Sequence, residues 1–113
     1  MDRDVRDIEI TDGKEWVIVA IRDRVDSFNF VEWAGKMENL MLLGQKHVAF
    51  NLAHAKFLSL PSIKYLGAMA DSMGAQGRHV ALVAPSEKLK RQIDIYGQLE
   101  KLKLFRSELD LIP

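Results

Sequence analysis

The spacing of hydrophobic positions changes several times along this chain, and each change marks an element. From Val5 to Ile10, the apolar residues Val5, Ile8 and Ile10 stand among charges. This weak alternation predicts a strand with one wet face. "TDG" follows as a turn. "EWVIVAIRD" is then a continuous apolar run rich in β-branched residues, which predicts a strand with little exposure. The two strands are expected to form a hairpin across Thr11–Lys14. In "DSFNFVEWAGKMENLMLLGQ" the period becomes helical, with Phe30, Trp33, Ala34, Met37, Leu40 and Met41 on one face. Asn29, with Glu32 three residues later, has the form of a capping box, and Gly44 that of a C-terminal stop.

The second half repeats this alternation. A short strand is expected over His47–Leu52. "PSIKYLGAMADSMGAQG" is helical, with Ile63, Leu66, Gly67, Ala70 and Met73 inward and Gly74 and Gly77 ending it. "RHVALVAP" reads as another apolar strand. "PSEKLKRQIDIYG" reads as a helix with Ser86 as N-cap, Gly97 after its end, and Leu89, Ile93 and Tyr96 as its buried stripe. A last short strand is placed near Phe105–Leu109. The order is β-β-α-β-α-β-α-(β). Strands alternating with helices imply an α/β fold with a mixed sheet that includes a parallel portion.

Length and composition narrow the class. With 113 residues, 48% of them apolar, the chain fits a single domain over 1–113 with an ordinary core. Lys and Arg number 16 and Asp and Glu number 16, so the formal charge is zero. That balance disfavours nucleic acid and an acidic membrane surface as partners. Cysteine is absent, which removes disulfides, thiolate metal sites and thiol nucleophiles. "MDRDVRDIEI" has no apolar core of a secretory signal. The apolar runs fall far short of the roughly 20 residues of a membrane span, so no membrane insertion is expected and the cytoplasm is the default location.

No catalytic constellation stands out. GxSxG, a Gly-rich phosphate loop and HExxH are all missing, so neither an enzyme nor a cofactor is expected. His47, His54 and His79 lack metal-ligand spacing. His47 and His79 read as strand-entry residues, whereas His54, on the loop before the second helix, is a candidate partner contact. Met37, Met41, Met69 and Met73, like Trp16 and Trp33, read as packing residues. The stretch "AKFLSLPSIKYL" carries more information. Pro61 suits the first turn of a helix, and Leu60 before it is the boundary. Ser59 stands just outside the helix and Ser62 just inside. Two readings apply to these serines: local capping, or a hydroxyl whose phosphate would sit well against the positive helix end.

Three segments together resemble the STAS domain family, which includes bacterial anti-sigma-factor antagonists. "RDRVDSFNF" is similar to the family's Gly-x-Leu-Asp-x-x-Asn/Thr segment, with Val25, Asp26 and Asn29 in matching places. "HVAFNLAHAKFLSLPSI" is similar to the central strand and the loop that ends Phe-Ile-Asp-Ser-Ser-Gly-Leu. "VALVAPSEKLKRQIDIYGQLEKLKLF" is similar to the closing segment, which contains Leu-Val-Gly-Pro-Ser. The resemblance implies a STAS-type mixed sheet of about four to five strands with about three helices. It also implies a non-enzymatic protein-binding regulator of transcription.

In such domains a loop serine is phosphorylated by a partner that is both anti-sigma factor and kinase, with a GHKL-type ATPase fold. Aligning Phe57-Leu58 with Phe-Ile puts Ser59 at the family's Asp, Leu60 at its first Ser, Pro61 at the phosphorylated Ser and Ser62 at the Gly. Asn51 replaces the Asp at the end of the strand. The usual acceptor is lost, leaving Ser59 and Ser62 as substitutes. The partner-binding surface implied by the resemblance takes in Asp26, Asn29, Asn51, His54, Lys56, Leu60, Pro61, Ser62, Lys64 and Tyr65. Leu60 and Tyr65 are its candidate apolar anchors, with ordinary packing as the alternative. Rival readings are a scaffold STAS subunit that assembles with itself or related domains, as a homodimer or a stressosome-like assembly, a lipid-transport-associated accessory subunit, and a nucleotide- or small-ligand-binding module.

Overall fold

The computed structural model describes residues 8–111, so Val5 and the start of the first expected strand lie outside the described residues. The strand described is β1 (Ile8–Asp12), which pairs antiparallel with β2 (Trp16–Ile21) from Ile8 against Ile21 to Asp12 against Val17. The expected hairpin is present, with the strand running through Asp12 and the turn closed by the Gly13 N–H donating to Trp16 O (2.9 Å). Next come β3 (Arg24–Val25), α1 (Phe30–Leu43), β4 (His47–Asn51), β5 (Phe57–Leu58) and α2 (Leu60–Gly74). The chain continues through β6 (Val80–Val83), α3 (Glu87–Ile95), β7 (Lys103–Phe105) and a 3₁₀ turn at Glu108–Asp110.

The main sheet has the order β1-β2-β4-β6-β7, antiparallel at β1/β2 and parallel from β2 onward. Each parallel step goes to the next strand outward. With crossovers of uniform hand, all three helices must then cover the same face. The core reflects this. Val19, Ile21, Val48, Phe50, Val80 and Leu82 of the sheet pack with Trp33, Met37, Ile63, Leu66, Met69, Met73, Leu89 and Ile93 of the helices. The opposite face holds a small cluster, Trp16, Ala49, Ala81 and Val83, with Phe105 and Leu111 against it.

Several expected details change. The last strand is Lys103–Phe105, earlier than Phe105–Leu109, and Glu108–Asp110 is a turn. Tyr96 leaves the buried stripe of α3, because the helix ends at Ile95 and Tyr96 is exposed. Gly97, at φ +74, provides the left-handed stop, with the Gln98 N–H reaching back to Ile93 O (3.1 Å). Gly44 closes α1 in an extended conformation, its N–H donating to Leu40 O (3.3 Å). Ala70 is only half-buried, and Met69 takes a core position instead. The two-residue pair β3/β5 was not expected, since a run that short has no periodicity to read.

Candidate functional site

The small β3/β5 pair builds the site. Arg24 pairs with Phe57 and Val25 with Leu58, in parallel. Backbone bonds extend the junction at both ends: Lys56 N–H donates to Asp23 O (2.6 Å) and Ser59 N–H to Val25 O (2.8 Å). Two segments about thirty residues apart in the chain therefore form one surface at the C-terminal ends of the parallel strands, where open α/β sheets commonly place their functional loops. Val25 and Leu58 point inward and are buried. Their neighbours Arg24 and Phe57 alternate outward, as the strand period requires.

The turn from Asp26 to Asn29 is held from within. Asp26 Oδ1 accepts from Phe28 N–H (2.9 Å) and Asn29 N–H (3.2 Å). Asn29 is buried; its Oδ1 accepts from Asp26 N–H (2.8 Å) and its Nδ2 donates to Arg24 O (3.0 Å). The expected capping box is thus corrected. Asn29 occupies the cap position, but its side chain makes no cap bond to α1 and instead ties the turn to β3. This turn lifts Phe28 out of the protein, 88% exposed, with Val31 exposed one helical step further on.

The second segment behaves differently at its two serines. Ser59 is the N-cap of α2 and accepts from Ser62 N–H (3.3 Å), and Pro61 occupies the first turn. Ser62 is fully buried, with its hydroxyl donating to Ser59 O (2.7 Å). The capping reading of these residues accounts for the geometry. A direct partner contact by Ser62 or Asn29 is corrected, because both support the surface from beneath. Ser62 Oγ is likewise closed to a kinase in this conformation.

The other expected residues divide into two groups. His54, Lys56, Leu60, Pro61 and Lys64 are exposed and share this end of the molecule. Asn51 is half-buried: its Oδ1 accepts from Ala53 N–H (3.0 Å), and its amide donates to Glu108 of the last turn. Tyr65 is a packing residue. Its ring meets Trp33 edge-on at 5.4 Å and its hydroxyl donates to Ala34 O (3.3 Å), joining α2 to α1. Burial, with Glu38 nearby, raises its pKa above the ordinary phenol value.

Two residues join the surface that sequence reasoning did not place there, Phe28 and Phe57 (41% exposed). A signal for Phe28 existed, because of the two phenylalanines in "FNF" only Phe30 falls on the inward period of α1. The resulting patch is apolar at Phe28, Phe57 and Leu60 and basic at Arg24, Lys56 and Lys64. Of its carboxylates, Asp23 contacts Arg24 (3.3 Å) and Asp26 faces its own turn. Among the described residues, no group of three or more His, Asp or Glu side chains can hold a metal ion. No described helix is long and apolar enough to cross a membrane.

The fold recurs in solved structures at low sequence identity. A putative anti-sigma factor antagonist from Thermotoga maritima superposes with a TM-score of 0.81 at 15% identity, over 91% of this chain and 89% of that one. The anti-sigma factor antagonist SpoIIAA in its unphosphorylated form gives 0.74 at 12% identity, over 91% of both chains. The murine anion transporter Slc26a9 gives 0.64 at 16% identity, over 88% of this chain and 17% of that one. No curated protein matches the chain. The family model for the STAS domain matches residues 6–111, nearly the whole sequence, and with the sheet order above it establishes that the chain belongs to the STAS domain family.

Proposed function

We propose that this protein is a single-domain, cytoplasmic, non-enzymatic regulator. It works by docking on a protein partner of the serine-kinase anti-sigma-factor class with a GHKL-type ATPase fold. The observation that carries this reading is the joining of the 23–28 turn and the 56–60 loop into one exposed patch. Phe28, Phe57 and Leu60 there are surrounded by Arg24, Lys56 and Lys64. Exposed aromatic residues on a rigid turn are the usual anchors of a protein interface. Pro61 removes the hydroxyl at the family's phosphorylation position and Ser62 is buried, so binding is held in the unmodified state.

The test is surface plasmon resonance against a serine-kinase anti-sigma factor, with and without ATP, followed by intact-mass measurement. The complex is expected to survive ATP with no gain of mass. Phe28→Asp or Leu60→Asp should weaken it by about thirtyfold or more, as loss of a hot spot does. A phosphate mapped to Ser59 together with loss of the complex would sink the unswitched reading.

A second reading, an accessory STAS subunit, is favoured by the match to a minor part of the murine anion transporter. Light scattering separates the two: a stable large self-assembly supports the accessory or scaffold role, and a monomer or dimer the regulator.

A further inference from the structure

At the opposite end of the sheet a groove of about 560 Å³ runs between the edge strand β1 and the C-terminal half of α1. Ile10, Val17 and Leu40 form its apolar wall. Ile10 points to the helix-covered face, in line with Ile8, yet remains 43% exposed because α1 does not close over it. The volume falls within the range of small-ligand sites.

Asp12, Asn39, Gln45 and Lys46 also line the groove, and a fifth polar residue there is unusual. Arg78 is 94% buried, since only 6% of its surface is exposed, yet no carboxylate among the described residues pairs with it. Neutral acceptors hold it instead. Nε donates to Lys46 O (2.9 Å), Nη1 to Met41 O and Gln76 Oε1 (3.0 Å each), and Nη2 to Leu40 O (3.2 Å). These use four of the five guanidinium N–H groups, leaving one on Nη2. Gly44, also in the groove wall, has no side chain over Nη2; a Cβ there would lie 3.4 Å from it. The Lys46 ammonium, in the same groove wall, donates to Asp12 (2.7 Å) and Gly13 O (2.6 Å) and keeps one N–H, but its charge is matched by Asp12, whereas that of Arg78 is not. A buried charge without a counter-ion is costly, and an anion that removes this cost gains a charge-assisted hydrogen bond.

We propose that this groove binds a small amphiphile with a carboxylate head, the head on Arg78 Nη2 beside Gly44 and the apolar tail along Ile10, Val17 and Leu40. The site lies at the N-terminal end of the parallel strands, so a ligand there leaves the partner-binding loop free. The inference does not depend on the proposed function.

Decanoate is the probe, with decanol and decyltrimethylammonium as neutral and cationic controls, the ionic probes below their micelle concentrations and decanol below its solubility limit, followed by ¹H–¹⁵N NMR of the intact chain. Decanoate should move the amides of Ile10, Gly44 and Lys46 saturably, and decanol should bind about tenfold more weakly or worse. Arg78→Gln should remove that preference. If Arg78→Gln does not fold, Ile10→Glu, at an exposed position, still serves: it puts a like charge and a polar surface where the tail lies and should lower decanoate affinity about tenfold. Equal binding of decanoate and decanol to the native chain would overturn the proposal. So would decanoate shifts that are absent from the groove, or unaffected by Ile10→Glu.

Discussion

At the scale of single residues, two backbone positions, at Ser59 and Ala84, have measurable consequences. Ser59 is the N-cap of α2, since its side-chain oxygen accepts the Ser62 N–H. Ser59→Ala should cost about 1 kcal/mol in urea denaturation, the usual worth of an N-cap. Ser59→Asp should be close to neutral, because a carboxylate also accepts there and suits the positive end of the helix. Ala84 sits at φ 55, between β6 and Pro85, with its N–H donating to Phe105 O (2.9 Å). A Cβ is strained in that left-handed region. Ala84→Gly should therefore raise stability by roughly 0.5–1 kcal/mol, whereas the same change inside a helix would lower it. An Ala84→Gly protein with a lower melting temperature would contradict this account of the turn.

At the scale of elements, what the sequence revealed depended on length and period. All three helices and the long strands were readable because Trp33, Met37, Ile63, Leu66, Leu89 and Ile93 repeat at helical steps and "WVIVAI" is unbroken. The β3/β5 pair was not readable, since two residues cannot show alternation, and with it went the physical link between Asp26 and Ser59. The site was therefore legible as two motifs but not as one surface. Residue type alone did not reveal that the Asn29 amide turns to the Arg24 carbonyl, nor decide between the two readings of Tyr65, anchor and packing residue. Arg78 was overlooked because an arginine before a strand reads as a surface charge.

The entries of β4 and β6 were also read only as polar transitions, yet they are coupled. His79 N–H donates to His47 Nδ1 (2.9 Å), and the two rings stack at 5.0 Å with Trp16 on the other side of His47 at 4.9 Å. Burial, followed by His79, lowers the His47 pKa below 6.5; Arg78 and Lys103 act the same way and Glu15 opposes them. The folded protein thus favours neutral His47. Its contribution to stability is present above the unfolded value of 6.5 and is lost as pH falls toward the lower folded value. Denaturation midpoints should decline with acidification in this window. His47→Asn, which keeps an acceptor near the Nδ1 position without titrating, should flatten the decline.

For the whole molecule, the zero net charge conceals an uneven distribution that bears on partner choice. The loop end carries Lys56 and Lys64 beside apolar residues, and neither pairs with a carboxylate among the described residues, whereas Arg24 is matched by Asp23 (3.3 Å). A surface of that kind is steered toward an acidic face, and steering acts on the association rate more than on the lifetime of the complex. Lys56→Glu with Lys64→Glu should therefore slow association with the partner by about tenfold at low salt and leave dissociation nearly unchanged. The difference should shrink as ionic strength approaches about 1 M, where the screening length falls to roughly 3 Å. Both lysines are exposed, so thermal melts of the double variant should match the native chain. Stopped-flow mixing at several salt concentrations measures this directly. A double variant that associates at the native rate in low salt would mean that the basic ring is not steering, and that the partner recognises the apolar residues alone.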